Sequence, residues 1–188
     1  MTRTEIIIGG FGGQGSVLAG VILGRAAAYD GKKVAQSRSY GAEARGGAAR
    51  SEVVIADEEI DYPLVITADY LVAMSQPAFE RYVSKVKASG LVVIEEDLVR
   101  PERKLPENLK LVKVPATKIA SREFGRPMVA NMVMLGALAA LTGVVTIDSL
   151  IKSIRASVSK GMEEINVAAL KKGQEYTSAM VGGVHETS

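Results

Sequence analysis

The residues with the most chemical promise lie in two glycine-rich stretches, Gly9-Gly10-Phe11-Gly12-Gly13-Gln14-Gly15 and Tyr40-Gly41-Ala42-Glu43-Ala44-Arg45-Gly46-Gly47. Within the first, Gly10-x-Gly12-x-x-Gly15 has the spacing of a dinucleotide fingerprint, between an apolar run and a helical pattern. Glycine permits positive φ and lets a backbone approach a phosphate closely. A helix starting near Ser16 would offer unpaired N–H groups and a positive dipole end to an anion. The same geometry also serves as a plain strand-to-helix turn, and both readings stand. A nicotinamide site also needs an acid at the end of the second strand to hold ribose hydroxyls. Here that strand ends Gln36-Ser37-Arg38. Arg38 suits a 2′-phosphate, so a free-standing NADP-dependent Rossmann oxidoreductase is the alternative function. Arg38, Arg45 and Arg50 could form a cationic rim, because guanidinium pairs bidentately with carboxylate or phosphate. For Arg38 and Arg50 the preferred reading is exposed arginines paired with Glu43 and Glu52, with Glu43 also placed to orient Arg45.

The rest of the composition limits the chemistry. The chain of 188 residues has no cysteine and one histidine, His185, near its end. A disulfide framework, a thiolate metal site, a cysteine-held iron–sulfur cluster and a histidine-based triad are therefore excluded from this chain alone. Carboxylates and lysines remain for acid–base work. Neither a catalytic residue nor a metal ligand is assigned. A net charge of +2, with three Phe and no Trp, gives no case for a nucleic-acid partner.

The elements that position these stretches alternate. Thr4–Ile8 reads as a buried parallel strand and Ser16–Tyr29 as a helix packing closely through Ala19, Gly20 and Gly24. Lys33–Ser37 completes a βαβ unit. Arg38–Gly47 has no period and reads as a loop, since irregular polar and glycine-rich runs do not form elements. Further strands are expected at Ala49–Ala56, Tyr70–Met74, Leu91–Glu95 and Leu109–Val114. Helices are expected from Pro77 to about Lys87 and from Pro115 to about Phe124. Met128–Leu141, Ile147–Ala156 and Gly161–Ala179 follow as helices. The expectation is one α/β domain over 1–188, a Rossmann-like, mostly parallel sheet with helices on both faces and a helical C-terminal part. Residues 181–188 read as a frayed tail.

Pro127–Ile147 carries no charge. Asn131, Thr142, Thr146 and the break at Gly143 argue for a helix buried on all sides rather than a membrane span. Met1 leads into a strand rather than a signal peptide, so a cytoplasmic location with no membrane partner is expected.

Together with Ala68-Asp-Tyr-Leu-Val-Ala73 and Asn131-Met-Val-Met-Leu-Gly-Ala-Leu138, the two stretches resemble the gamma subunits of the 2-oxoacid:ferredoxin oxidoreductases. The resemblance spans nearly the whole chain in the same order. Ala42 stands where the family usually has Pro. It implies an enzyme that oxidatively decarboxylates a 2-oxoacid, 2-oxoglutarate favoured, to an acyl-CoA while reducing ferredoxin. It further implies that this chain holds no cofactor alone and has coenzyme A as a co-substrate of its complex. Thiamine diphosphate with Mg would sit in alpha and beta subunits, and [4Fe–4S] clusters in cysteine-rich partners such as a ferredoxin-like delta subunit. On this reading Gly10, Gly12, Gly13, Gln14, Gly15, Tyr40, Glu43, Arg45, Gly46 and Gly47 contact coenzyme A, substrate or a partner. Asn131, Met132 and Met134 are assigned to a subunit interface, with plain core as the competing reading and a backbone hydrogen bond expected for Asn131.

Overall fold

Three successive isoleucines set up the two cores. Successive strand residues point to opposite faces. Ile6 and Ile8 accordingly enter one apolar cluster and Ile7 another. In this computed structural model, which describes residues 3–40, 48–102 and 104–182, they lie on β1 (Arg3–Phe11). The other strands are β2 (Lys33–Tyr40), β3 (Ala48–Ala56), β4 (Ala68–Ala73), β5 (Val86–Glu95) and β6 (Lys110–Val114). They form one sheet in the order β2-β3-β1-β4-β5-β6. β1, β4, β5 and β6 pair in parallel, while β3 runs antiparallel to both β1 and β2.

Helices cover both faces. α1 (Ser16–Tyr29), α3 (Ala116–Phe124), α4 (Ala130–Thr142), α5 (Ile147–Ser157) and α6 (Glu163–Gly182) belong to the face of Ile6 and Ile8. α2 (Gln76–Tyr82) lies on the other, through Ala78, Phe79 and Tyr82. The Rossmann-like α/β class is thus realised, with one departure. The unit β1–α1–β2 is parallel as expected, but β3 inserts between its two strands. This places the end of β2 about 4.8 Å further from the end of β1 than in an adjacent pair.

Two close approaches explain glycines that would otherwise weaken helices. A Cβ on Gly20 would sit 2.0 Å from Ser51 Oγ, so α1 rests directly on β3. A Cβ on Gly136 would sit 1.9 Å from the Leu170 carbonyl oxygen, and one on Gly173 would sit 1.9 Å from that of Val133. α4 and α6 therefore cross backbone against backbone, which only paired glycines allow.

Several boundaries differ from the sequence reading. α2 ends at Tyr82, and a single 3-10 turn (Val83–Lys85) leads into β5, because Val86 is already paired with Ala68. Arg38–Tyr40 continue β2 rather than starting a loop. Val181 and Gly182 continue α6 rather than belonging to a tail. The remainder of the expected tail, 183–188, with His185, lies outside the described residues. α4 has 13 residues and stops at Gly143, whose φ is +61°. Among the described residues no helix is long and apolar enough to cross a membrane.

Candidate functional site

The first glycine stretch is not one loop. Gly9 and Gly10 are the last core residues of β1, and the turn proper begins after Phe11. Gly9 lets α2 press on the strand, since a Cβ there would lie 3.0 Å from Ala78 Cβ. Gln14 fills the space that a side chain at Gly10 would need. Its Oε1 accepts from the Phe11 N–H at 2.6 Å, and its Nε2 donates to the Met74 carbonyl at 2.9 Å. The Gln14 amide thus ties the turn to the ends of β1 and of the strand beside it, and both ends of the amide are used within the chain.

Gly15 has φ +75° and precedes α1. Its carbonyl accepts from Ala19 N–H at 2.9 Å and from Asn131 Nδ2 at 3.2 Å. Asn131 stands on α4, more than a hundred residues away in sequence, and its amide finds the backbone partner expected of it. Ser16 Oγ donates to the Ala49 carbonyl at 3.3 Å, fixing the start of α1 to β3. Gly13, with φ +95°, differs from these positions: a Cβ there would meet nothing within 4 Å. Gly12 and Gly13 are exposed. No side chain caps α1 and no acid lies in its first turn. The positive end of its dipole thus stands beside an open glycine surface without a counter-charge from its own first turn.

The second stretch arrives at the same place through β3. Register pairs Phe11 with Ala48 and Tyr40 with Ala49. Tyr40 and Ala48, the described residues on either side of 41–47, therefore stand at the edge of the sheet that carries the glycine turn. Phe11 and Tyr40 are exposed there. Glu43, Arg45, Gly46 and Gly47 lie outside the described residues.

Arg38 and Arg50 do not converge into one rim. Arg38 lies opposite Ser51, on the face of α1. Arg50, one residue before Ser51, points to the α2 face, with its guanidinium 5.5 Å from the centre of the Tyr82 ring. Arg50 does pair with Glu52, at 3.4 Å, but as a half-buried group rather than an exposed one, and its Nε has no acceptor. The alternation of strand side chains puts the two arginines on opposite faces of the sheet, and their spacing in isolation would not reveal that β2 and β3 pair with Arg38 opposite Ser51.

The proposed interface on α4 is also corrected. Asn131, Met132 and Met134 are at most 3% exposed within this chain alone, so they belong to its own core rather than to a docking face. The exposed methionine of this segment is Met128, at 63%, in the turn before α4. It borders a hollow of about 220 Å³ together with Leu18, Asn131 and Met162.

Glu95 ends β5 at the same sheet edge and is fully buried. Burial pushes its carboxyl above the usual glutamate range, with Asp97 adding to the rise and the Thr117 N–H opposing it. Thr117 N–H donates to Oε1 at 3.4 Å, while Oε2 has no partner in hydrogen-bonding distance. The chain contains no cysteine, and the described residues contain no group of three or more His, Asp or Glu that could hold a metal ion. An iron–sulfur cluster therefore finds no thiolate ligand here.

The sequence from residue 5 to 176 matches the family model described as pyruvate ferredoxin/flavodoxin oxidoreductase. The chain belongs to that family. Over 180 residues it is 55% identical to the 2-oxoglutarate synthase subunit KorC of Methanocaldococcus jannaschii, covering 95% of this chain and 96% of the relative. The corresponding subunit of Methanothermobacter marburgensis is 48% identical, over 92% of this chain and 96% of the relative. The keto/oxoacid ferredoxin oxidoreductase gamma subunit of Geobacter sulfurreducens PCA has a similar structure, with a TM-score of 0.80 at 41% identity. It covers 94% of this chain and 99% of that one.

With the family in hand, the roles inside its glycine motif divide. Gly9, Gly10 and Gly15 are required by packing and backbone angle, and Gln14 by the staple it makes. Gly12 and Gly13 are exposed and are not held by these contacts. The sequence carried one signal for the hidden part of this arrangement, a lone amide on the apolar helix α4. It carried none for the Gln14 staple, whose acceptor Met74 is known only once β1 and β4 are paired.

Proposed function

We propose that this chain is the gamma subunit of a 2-oxoglutarate-oxidising, ferredoxin-reducing enzyme, and that its glycine edge closes over the place where coenzyme A reacts. The observation that carries this reading is the β3 register, Phe11 opposite Ala48, which anchors both glycine-rich motifs to one sheet edge. The named relatives favour 2-oxoglutarate as the acid. The exposed Gly12–Gly13 surface and the uncapped start of α1 suit a phosphate of coenzyme A, because amide donors and the helix dipole attract anions. Arg45 adds a cation from the second motif. Thiamine diphosphate, Mg and the [4Fe–4S] clusters belong to alpha, beta and ferredoxin-like delta subunits, and this chain contributes shape and positive charge. When bound by those partners, thiamine diphosphate supplies the carbanion chemistry of decarboxylation. The chain works in the cytoplasm as a single domain.

The test uses the enzyme reconstituted from all its subunits and follows 2-oxoglutarate-dependent, coenzyme A-dependent reduction of a viologen dye. Arg45→Ala should raise the apparent KM for coenzyme A or for the acid at least tenfold, or weaken assembly. Gly13→Asn tests the turn separately, because Asn tolerates positive φ and its side chain would project into open space. Its stability should change by about 1 kcal/mol or less, while the KM for coenzyme A rises. If both variants assemble and turn over like the parent, the edge is only a turn and the reading fails.

A further inference from the structure

The opposite edge of the sheet displays apolar side chains that the fold holds outward. Between β3 and β4 the chain reads Asp61-Tyr62-Pro63-Leu64-Val65-Ile66-Thr67. Tyr62, Leu64 and Ile66 are 50%, 43% and 67% exposed, three of the nine large apolar side chains exposed among the described residues, gathered within five positions. Val65 alone turns inward, packing against the α2-side core.

Their backbone is pinned by a single ion pair on β1. Arg3 Nε bonds Glu5 Oε1 at 2.8 Å. Arg3 Nη2 donates to the carbonyls of Tyr62 at 2.9 Å and Leu64 at 3.2 Å. Glu5 Oε2 accepts from the Ile66 N–H at 2.6 Å and the Thr67 N–H at 3.0 Å. Glu5 is itself 6% exposed, so its bonds to the Ile66 and Thr67 N–H groups are charge-assisted and largely shielded, while those from Arg3 lie nearer the surface. With these four backbone groups held by Arg3 and Glu5, Val65 packs inward while Tyr62, Leu64 and Ile66 stay exposed. Beside them lies a hollow of about 380 Å³, walled by Tyr62, Ile66, Ala56, the carboxylates of Glu58, Glu59 and Asp61, and Arg3, whose charge is already met by Glu5. Lys33 neutralises neighbouring Glu59. Among the described residues no ion pair reaches Glu58 or Asp61.

We infer that the Tyr62–Ile66 display and its acidic hollow form a second docking surface, for a partner-subunit segment presenting a lysine or arginine among apolar side chains. Contiguous exposed apolar surface marks interaction sites, and interface cores favour aromatic and aliphatic anchors with a complementary charge at the rim. The unpaired carboxylates select a basic partner over an acidic one. The inference stands apart from the coenzyme A reading, because this surface lies at the N-terminal ends of the parallel strands, across the sheet from the glycine turn.

Two variants of this chain, each co-expressed with the other subunits, test it. One is the triple change Tyr62→Ser, Leu64→Ser and Ile66→Ser. The other is Glu58→Lys with Asp61→Lys. Each should keep the circular dichroism and melting temperature of the parent chain while its Kd for the remaining subunits rises at least tenfold. For the charge variant, the loss should shrink as salt increases. A benzophenone amino acid at position 64 should cross-link to a subunit segment containing Lys or Arg. Unchanged affinity in both variants overturns the inference. Loss confined to one variant overturns its paired apolar and basic chemistry. If sedimentation shows the lone chain forming dimers that the triple variant abolishes, the occupant is a second copy and the partner-subunit assignment fails.

Discussion

Replacing Gly15 by Ala, alone and with Asn131→Ala, separates two reasons for one glycine. At φ +75° an alanine pays a left-handed backbone cost of ~1–2 kcal/mol. The added Cβ would also stand 2.3 Å from Asn131 Nδ2 and 2.9 Å from its Cγ. Real Cβ contacts do not occur under 3.0 Å. Asn131 is 3% exposed and bonded to the Gly15 carbonyl, so it has little room to retreat. Overpacking of this kind costs ~1–3 kcal/mol more. The single Gly15→Ala variant should therefore lose roughly 2–5 kcal/mol, the sum of those two costs. Asn131→Ala alone should lose ~1 kcal/mol, because the Gly15 carbonyl keeps its bond from Ala19 N–H. In the double variant the clash disappears and the backbone cost remains. It should be less destabilised than the sum of the singles by ~1–3 kcal/mol. Urea unfolding of the four proteins, with equal m-values, gives the cycle. Additivity within about 0.5 kcal/mol would refute the claim that Gly15 is held by Asn131.

Gly136→Ala should be more damaging than a helix-interior Gly-to-Ala change usually is, where a gain near 1 kcal/mol is normal. Its Cβ would meet the Leu170 carbonyl at 1.9 Å, and backbone cannot rotate away. A melting temperature raised by the change would show that α4 and α6 do not cross as described. The raised carboxyl of Glu95 should make folding more favourable at low pH, since the folded state binds that proton more tightly. This contribution is fully present below the unfolded value of ~4.3 and fades as pH climbs through the raised folded value. Glu95→Gln should flatten that part of the stability–pH curve and stabilise the chain by ~1 kcal/mol at pH 8, read by thermal melts. Asp30 has the opposite sign. Burial works against its carboxylate, but hydrogen bonds from Ser149 and Thr146 outweigh this and hold it below the usual range. Its contribution is present above the unfolded value and lost as pH falls through the folded one. Asp30→Ala should lower the melting temperature at pH 7, with the deficit narrowing in acid.

Period and punctuation alone revealed the elements that are local in origin. The boundaries of α1 were legible because Ser16–Tyr29 is apolar or small throughout and is framed by Gly15 and Asp30-Gly31. The end of α4 was legible at Gly143 for the same reason. The two glycine-rich motifs were visible as candidates, and the family followed from their wording. That Tyr40 and Ala48 would stand beside Phe11 was not visible, because it depends on β3 running antiparallel between β1 and β2, a pairing between distant segments that no local pattern encodes. The same limit hid the division of labour among the glycines. Whether Gly13 faces open space and Gly15 faces an amide depends on where α4 packs. Met132 and Met134 show the limit from the other side: an apolar helix reads alike whether it lines a core or a docking face. The choice was made by α6, whose Gly173 admits α4 to backbone contact and seals that face inside the chain. Composition decided what this protein cannot hold, since absent cysteines supply no ligands in any fold. Tertiary structure decided which of its remaining groups stand free, because hydrogen-bond partners and burial are fixed only when distant strands and helices have been brought together.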